Sequence, residues 1–164
     1  ISRNKIHIKH ENKRRLALEE NKLQYELQAL IKEENRKSEI GKYRVVLTAK
    51  LATLLCDVLK LGPAEKLLRD LLVQCSNELE ENHYYTISTA INLSSVLRKQ
   101  GKLMQAKGLC AWTLRVNMKT HGKYHTRTLL SVSVMAQIVR QYSALNRNLF
   151  LKEEEKRMKE QQSQ

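Results

Sequence analysis

Apolar residues recur at helical spacing along most of this chain, in blocks separated by short polar turns. Over 89–122, Ala90, Leu93, Ser94 and Leu97 fall at i, i+3, i+4 and i+7, one face of a helix. Leu103, Ala106, Leu109, Cys110, Thr113, Leu114 and Val116 form a second such face. Between them Gln100-Gly101-Lys102 reads as a tight turn, with Gly101 free to take a left-handed backbone. The small residues Ser94 and Ala106 are expected where the two helices touch most closely. The stretch therefore predicts a helical hairpin.

The hairpin recurs. A shift of 42 residues places Leu51 on Leu93 on Met135, Ala52 on Ser94 on Ala136, and Leu55 on Leu97 on Val139. In the second helix Leu61 falls on Leu103 and Leu145, Ala64 on Ala106, Leu67 on Leu109 and Leu72 on Leu114. His83 falls on His125 and Thr86 on Thr128. Leu59 stands at the place of Gly101, so the first turn is expected to be built differently.

The pattern Leu93, Leu97, Gly101, Lys102, Leu103, Ala106, Leu109, Cys110 resembles a tetratricopeptide repeat. The 42-residue period and the phrase Gly122-Lys123-Tyr124-His125 resemble the kinesin-light-chain type, with Thr126 where that type carries proline. The resemblance covers 83–145 well, 43–82 less well and 1–40 not at all. It implies an all-α superhelix of about two and a half hairpins over 41–145. It also implies a non-catalytic role in holding partners, plausible in a cytoskeletal, microtubule or ciliary setting.

Before the hairpins, 8–37 predicts one long Glu/Lys/Leu/Gln-rich helix, ended or kinked at Gly41. Leu16, Leu23 and Leu30 recur at seven, widened by Leu27 and Ile31. Such a helix over 1–40 either caps the first hairpin or serves as a coiled-coil docking arm. The predicted hairpins are 43–60 with 63–80 and 85–100 with 102–120. A third begins at 126–143, and its second helix is expected near Leu145. The remainder, 146–164, reads as a charged terminal helix or tail. The opening Ile1-Ser2-Arg3-Asn4 is neither a signal peptide nor an initiator methionine, so residues are expected to precede it.

Composition narrows function chiefly through charge. The net charge is +13, and it is unevenly spread. Residues 82–152 hold eleven Lys and Arg and no Asp or Glu, where a solvated helix ordinarily pairs lysines with glutamates one turn away. The expected partner is acidic, in a larger complex. A protein or peptide surface is favoured; a nucleic acid, as in a ribosomal subunit, is the alternative. The spread of Tyr84, Tyr85, Trp112, Tyr124, Tyr142 and Phe150 speaks against base stacking. An anionic membrane is disfavoured because no helix is expected to pair a basic face with a large exposed apolar one.

No phosphate loop, nucleophile elbow or zinc spacing is present. Neither an enzyme nor a cofactor is expected. Cys56, Cys75 and Cys110 lie on apolar faces, an odd set that fits a reducing, cytoplasmic compartment. His83 and His125 are expected to serve the links between hairpins, and Trp112 either to pack between helices or to stand exposed as a partner anchor. The resemblance implies a concave groove lined by first helices. The candidate partner-binding residues are Ser88, Asn92, Ser95, Arg98 and Lys99, with Gln137, Arg140 and Lys50 at corresponding places. Val134 falls at the third copy of the Asn92 position. Asn92 matches an asparagine that in that family bonds a bound peptide's backbone.

Overall fold

In the computed structural model the chain is all-α, with no strand among the described residues. The structure describes the backbone of 2–34 and 41–162, and side chains over 11–33 and 41–159. The helices are α1 (Ser2–Glu34), α2 (Lys42–Asp57), α3 (Leu61–Glu78), α4 (Tyr84–Lys99), α5 (Leu103–His121) and α6 (Thr126–Gln162). Each packs on the next, and α2 also touches α4, and α4 touches α6. Short connections over 58–60, 79–83, 100–102 and 122–125 bring consecutive helices together.

The turns follow from local backbone chemistry. At Gly101 the φ angle is +79°, and Lys102 N–H bonds the Leu97 carbonyl while Gly101 N–H bonds that of Arg98. This is the Schellman arrangement, which satisfies carbonyls at a helix end. Leu59 adopts the same geometry: φ is +61°, with Lys60 N–H on Leu55 O and Leu59 N–H on Cys56 O. The expectation of a different first turn is thus corrected. The carbonyls of Leu55 and Cys56 need the same partners whatever side chain occupies the corner.

Helix starts are also matched at 42 residues. His83 Nδ1 accepts from Tyr85 N–H, and His125 Nδ1 accepts from Arg127 N–H. Thr86 Oγ1 donates to Glu80 O, and Thr128 Oγ1 to Gly122 O. Each His caps its helix, and each Thr ties the first turn to the preceding link. Both roles lie at the links, where the two histidines were expected to act.

The core runs through the centre of the stack. Leu51, Ala52, Leu55, Leu68, Leu93, Leu97, Ala106 and Cys110 belong to it or lie fully within it, and Ser94 is buried beside them. Leu27 of α1 joins this core, with Leu23 and Ile31 packed against it. The second half of α1 thus packs on α2. Over 11–19, only Leu16 is even half-buried, so that stretch of α1 stands in solvent. Gly41 is the extended N-cap of α2. Residues 35–40 of the predicted first helix lie outside the described region.

The third hairpin departs from expectation. No turn occurs near Leu145; α6 continues through Asn146, Arg147 and Asn148 to Gln162. Nothing in 142–149 breaks a helix: there is no Gly or Pro. The packed face of α6 is Thr128, Ser131, Val134 and Ile138. Met135 is only half-buried, and Ala136 and Val139 are exposed. No further helix among the described residues covers them, so the core positions assigned there by the repeat stay exposed.

Candidate functional site

The predicted groove residues separate into three kinds. Lys50 and Asn92 line one cleft of 660 Å³, together with Glu19 and Leu23 of α1 and Asp57 of α2. Asn92, Ser95 and Lys99 line a smaller adjoining cleft of 80 Å³ with Ala49 and Thr53. These four candidates are therefore brought together. The larger cleft is not basic, since Glu19 and Asp57 oppose Lys50. Sequence reasoning missed Glu19, because α1 lay outside the repeat pattern.

A second set is engaged within the fold. Arg98 donates from Nη1 to Gln141 Oε1 at 3.3 Å, and Gln141 Nε2 donates back to the Arg98 carbonyl at 3.4 Å. Its guanidinium thus joins α4 to α6 rather than standing free in a groove. Ser88 Oγ donates to Tyr85 O and Ser95 Oγ to Ile91 O, each within its own helix. Val134 is buried, so the third copy of the Asn92 position packs rather than faces a groove. In the third set, Gln137 and Arg140 are exposed on α6, with no carboxylate near Arg140.

The cationic stretch keeps its character in three dimensions. Of the eleven Lys and Arg of 82–152, Lys102 alone among the described residues reaches a carboxylate: Nζ lies 2.6 Å from Glu65 Oε2 on α3. Arg127 instead lies over the Tyr84 ring, 4.2 Å from its centroid, and against His121 Nε2 at 3.3 Å. His121 is held below its ordinary range by desolvation, then by His125 and Arg127 nearby. Trp112 is half-buried, and its indole N–H donates to Glu81, just outside the acid-free stretch.

Buried polar contacts between α5 and α6 fix their register. Asn117 Nδ2 donates to Ser131 Oγ at 3.0 Å, and Cys110 Sγ donates to Ser131 O at 3.3 Å. All three cysteines are free and buried. Burial pushes the Cys56, Cys75 and Cys110 thiols up from their ordinary value, which disfavours the reactive thiolate. Among the described residues no His, Cys, Asp and Glu group could hold a metal ion, and no helix is long and apolar enough to cross a membrane. The chain matches no protein-family model and no curated protein.

Proposed function

We propose that this chain is a non-catalytic interaction module, built of tetratricopeptide-like hairpins, that docks an acidic protein surface within a larger cytoplasmic assembly. The observation that carries the reading is the set of ten cations in 82–152 that meet no carboxylate. Such a set attracts anions and speeds their encounter, and salt screens it over about 8 Å at physiological strength. The matched turns, caps and buried positions at a 42-residue spacing support the repeat reading. Lys99 lines the Asn92–Ser95 cleft, and Lys99 and Arg140 adjoin in sequence the two partners of the Arg98–Gln141 contact.

The test is binding of a fluorescent glutamate-rich peptide over a salt series, with single-stranded RNA as the counter-probe. The peptide should bind and weaken steeply as salt rises. Lys99→Glu with Arg140→Glu should weaken it about tenfold more than Arg115→Glu with Lys123→Glu, a reversal of equal charge placed elsewhere. Preference for RNA, with loss spread evenly over both pairs, would move the function to a ribonucleoprotein subunit. Binding of neither probe at low salt would overturn the acidic-partner reading.

A further inference from the structure

The outer flank of α6 is a helix face without its neighbour. Shifted by 42 residues, Leu129, Val132, Ala136 and Val139 correspond to Ile87, Ala90, Ser94 and Leu97 of α4. On α4 these positions are 3, 0, 0 and 1% exposed. On α6, Leu129, Val132 and Val139 are 51, 45 and 47% exposed, and Ala136 is open as well. All four α6 residues are apolar, so composition does not account for the difference. What differs is packing: α4 is flanked by both α3 and α5, whereas among the described residues α6 packs on α5 and α4 alone. The expectation that no helix joins cations to an exposed apolar face is therefore corrected. α6 does so, with Arg140 and Arg147 bordering the row.

We infer that this row is a docking strip for one amphipathic helix of a partner protein, seated as α5 is seated on α4 and carrying a carboxylate in its first turn. The inference rests on the interaction-module reading and names its partner's shape. The charge requirement comes from a seam already in the fold. Lys60, the N-cap of α3, reaches back to Glu20 of α1 at 2.7 Å, and Lys102, the N-cap of α5, reaches back to Glu65 of α3 at 2.6 Å. Each later helix thus offers a cation to a carboxylate on the helix two before it. The α5 position corresponding to Glu65 is Lys107. The polarity is reversed there, so the next helix must begin with an acid where its predecessors begin with lysine. A small residue should follow about one turn later, as Ala106 follows Lys102.

The probe is a stapled, fluorescent peptide of residues 100–121 of this chain, made with Lys102→Glu. It carries the apolar face that already fits α4. Anisotropy should show binding to the intact chain, and hydrogen exchange should show protection over 129–143. The native Lys102 peptide should bind at least tenfold more weakly. Lys107→Glu in the protein should reverse that preference. Val132→Asn with Val139→Asn leaves the charge unchanged, so it should abolish peptide binding while binding of the glutamate-rich probe persists. Loss of both probes together would instead strike at the interaction-module reading. Protection on α4, or equal binding of both peptides, would overturn the docking strip. So would self-association of the chain, or binding to anionic vesicles, that the same asparagine variant removes; these would assign the row to a second copy or a lipid surface.

Discussion

Lys102 and Glu65 close the seam between α5 and α3, 37 residues apart in the chain and 2.6 Å apart in space. The Lys102 hydrogen bond is the main cause holding the Glu65 carboxyl down at about 2, against an ordinary value of 4.5; Arg69 and Gln100 add to it, and burial opposes it. The folded value lies below the unfolded one. The pair's stabilisation is therefore present above pH 4.5 and lost as pH falls toward 2. Glu65→Gln should lower stability by roughly 0.2–1 kcal/mol at neutral pH, because the lysine is solvent-facing. Melts of the two proteins should converge on acidification; a gap that persists at the lowest pH would reject the ion pair as its cause.

Leu59 holds a left-handed backbone that costs an L-residue about 1–2 kcal/mol, and its side chain is exposed. Leu59→Gly removes that strain and adds unfolded-state entropy of roughly 0.4–1 kcal/mol. The net expectation is a stabilisation of about 0.5–1 kcal/mol. Denaturant midpoints check it, and a destabilised variant would mean that the Leu59 side chain packs in solution.

His83→Ala and His125→Ala should each cost about 0.5–2 kcal/mol, the range for losing a side-chain N-cap. The two caps share no partner, so the double variant should show the sum. Chemical denaturation of all four proteins measures the additivity.

Ala106 is fully buried at the α4–α5 crossing. Ala106→Leu should overpack it and cost about 1–3 kcal/mol. An unchanged melt would show that the two helices are not in close contact there.

Leu27 is the residue by which α1 enters the core. Leu27→Ala should cost about 2–5 kcal/mol if that helix stays docked in solution. Loss of protection confined to 16–31, with the rest of the chain unaffected, would show α1 undocking as a unit.

The hairpins were legible because their signal is periodic and local. Ala90, Leu93, Ser94 and Leu97 are all buried, as spacing alone predicts, and α4 and α5 lie within a residue or two of their expected bounds. The links were legible for the same reason, since His83 and His125 stand at one offset. Sequence spacing failed where burial depends on a neighbour. Val139 has the right residue at a core position, but no helix among the described residues covers it. Arg98 reads as a free groove cation because nothing local reveals Gln141, 43 residues onward. Glu19 was missed because the placement of α1 beside the cleft depends on long-range docking of Leu27.

The three enclosed thiols have a practical consequence. Cys56, Cys75 and Cys110 are the chain's full complement of cysteine, and all are buried with their ionisation suppressed. The native protein is therefore a quiet background for maleimide and spin-label chemistry. A cysteine introduced on the open side of α6 would be the fast-reacting thiol at neutral pH, and a label there would report whatever comes to rest on that helix.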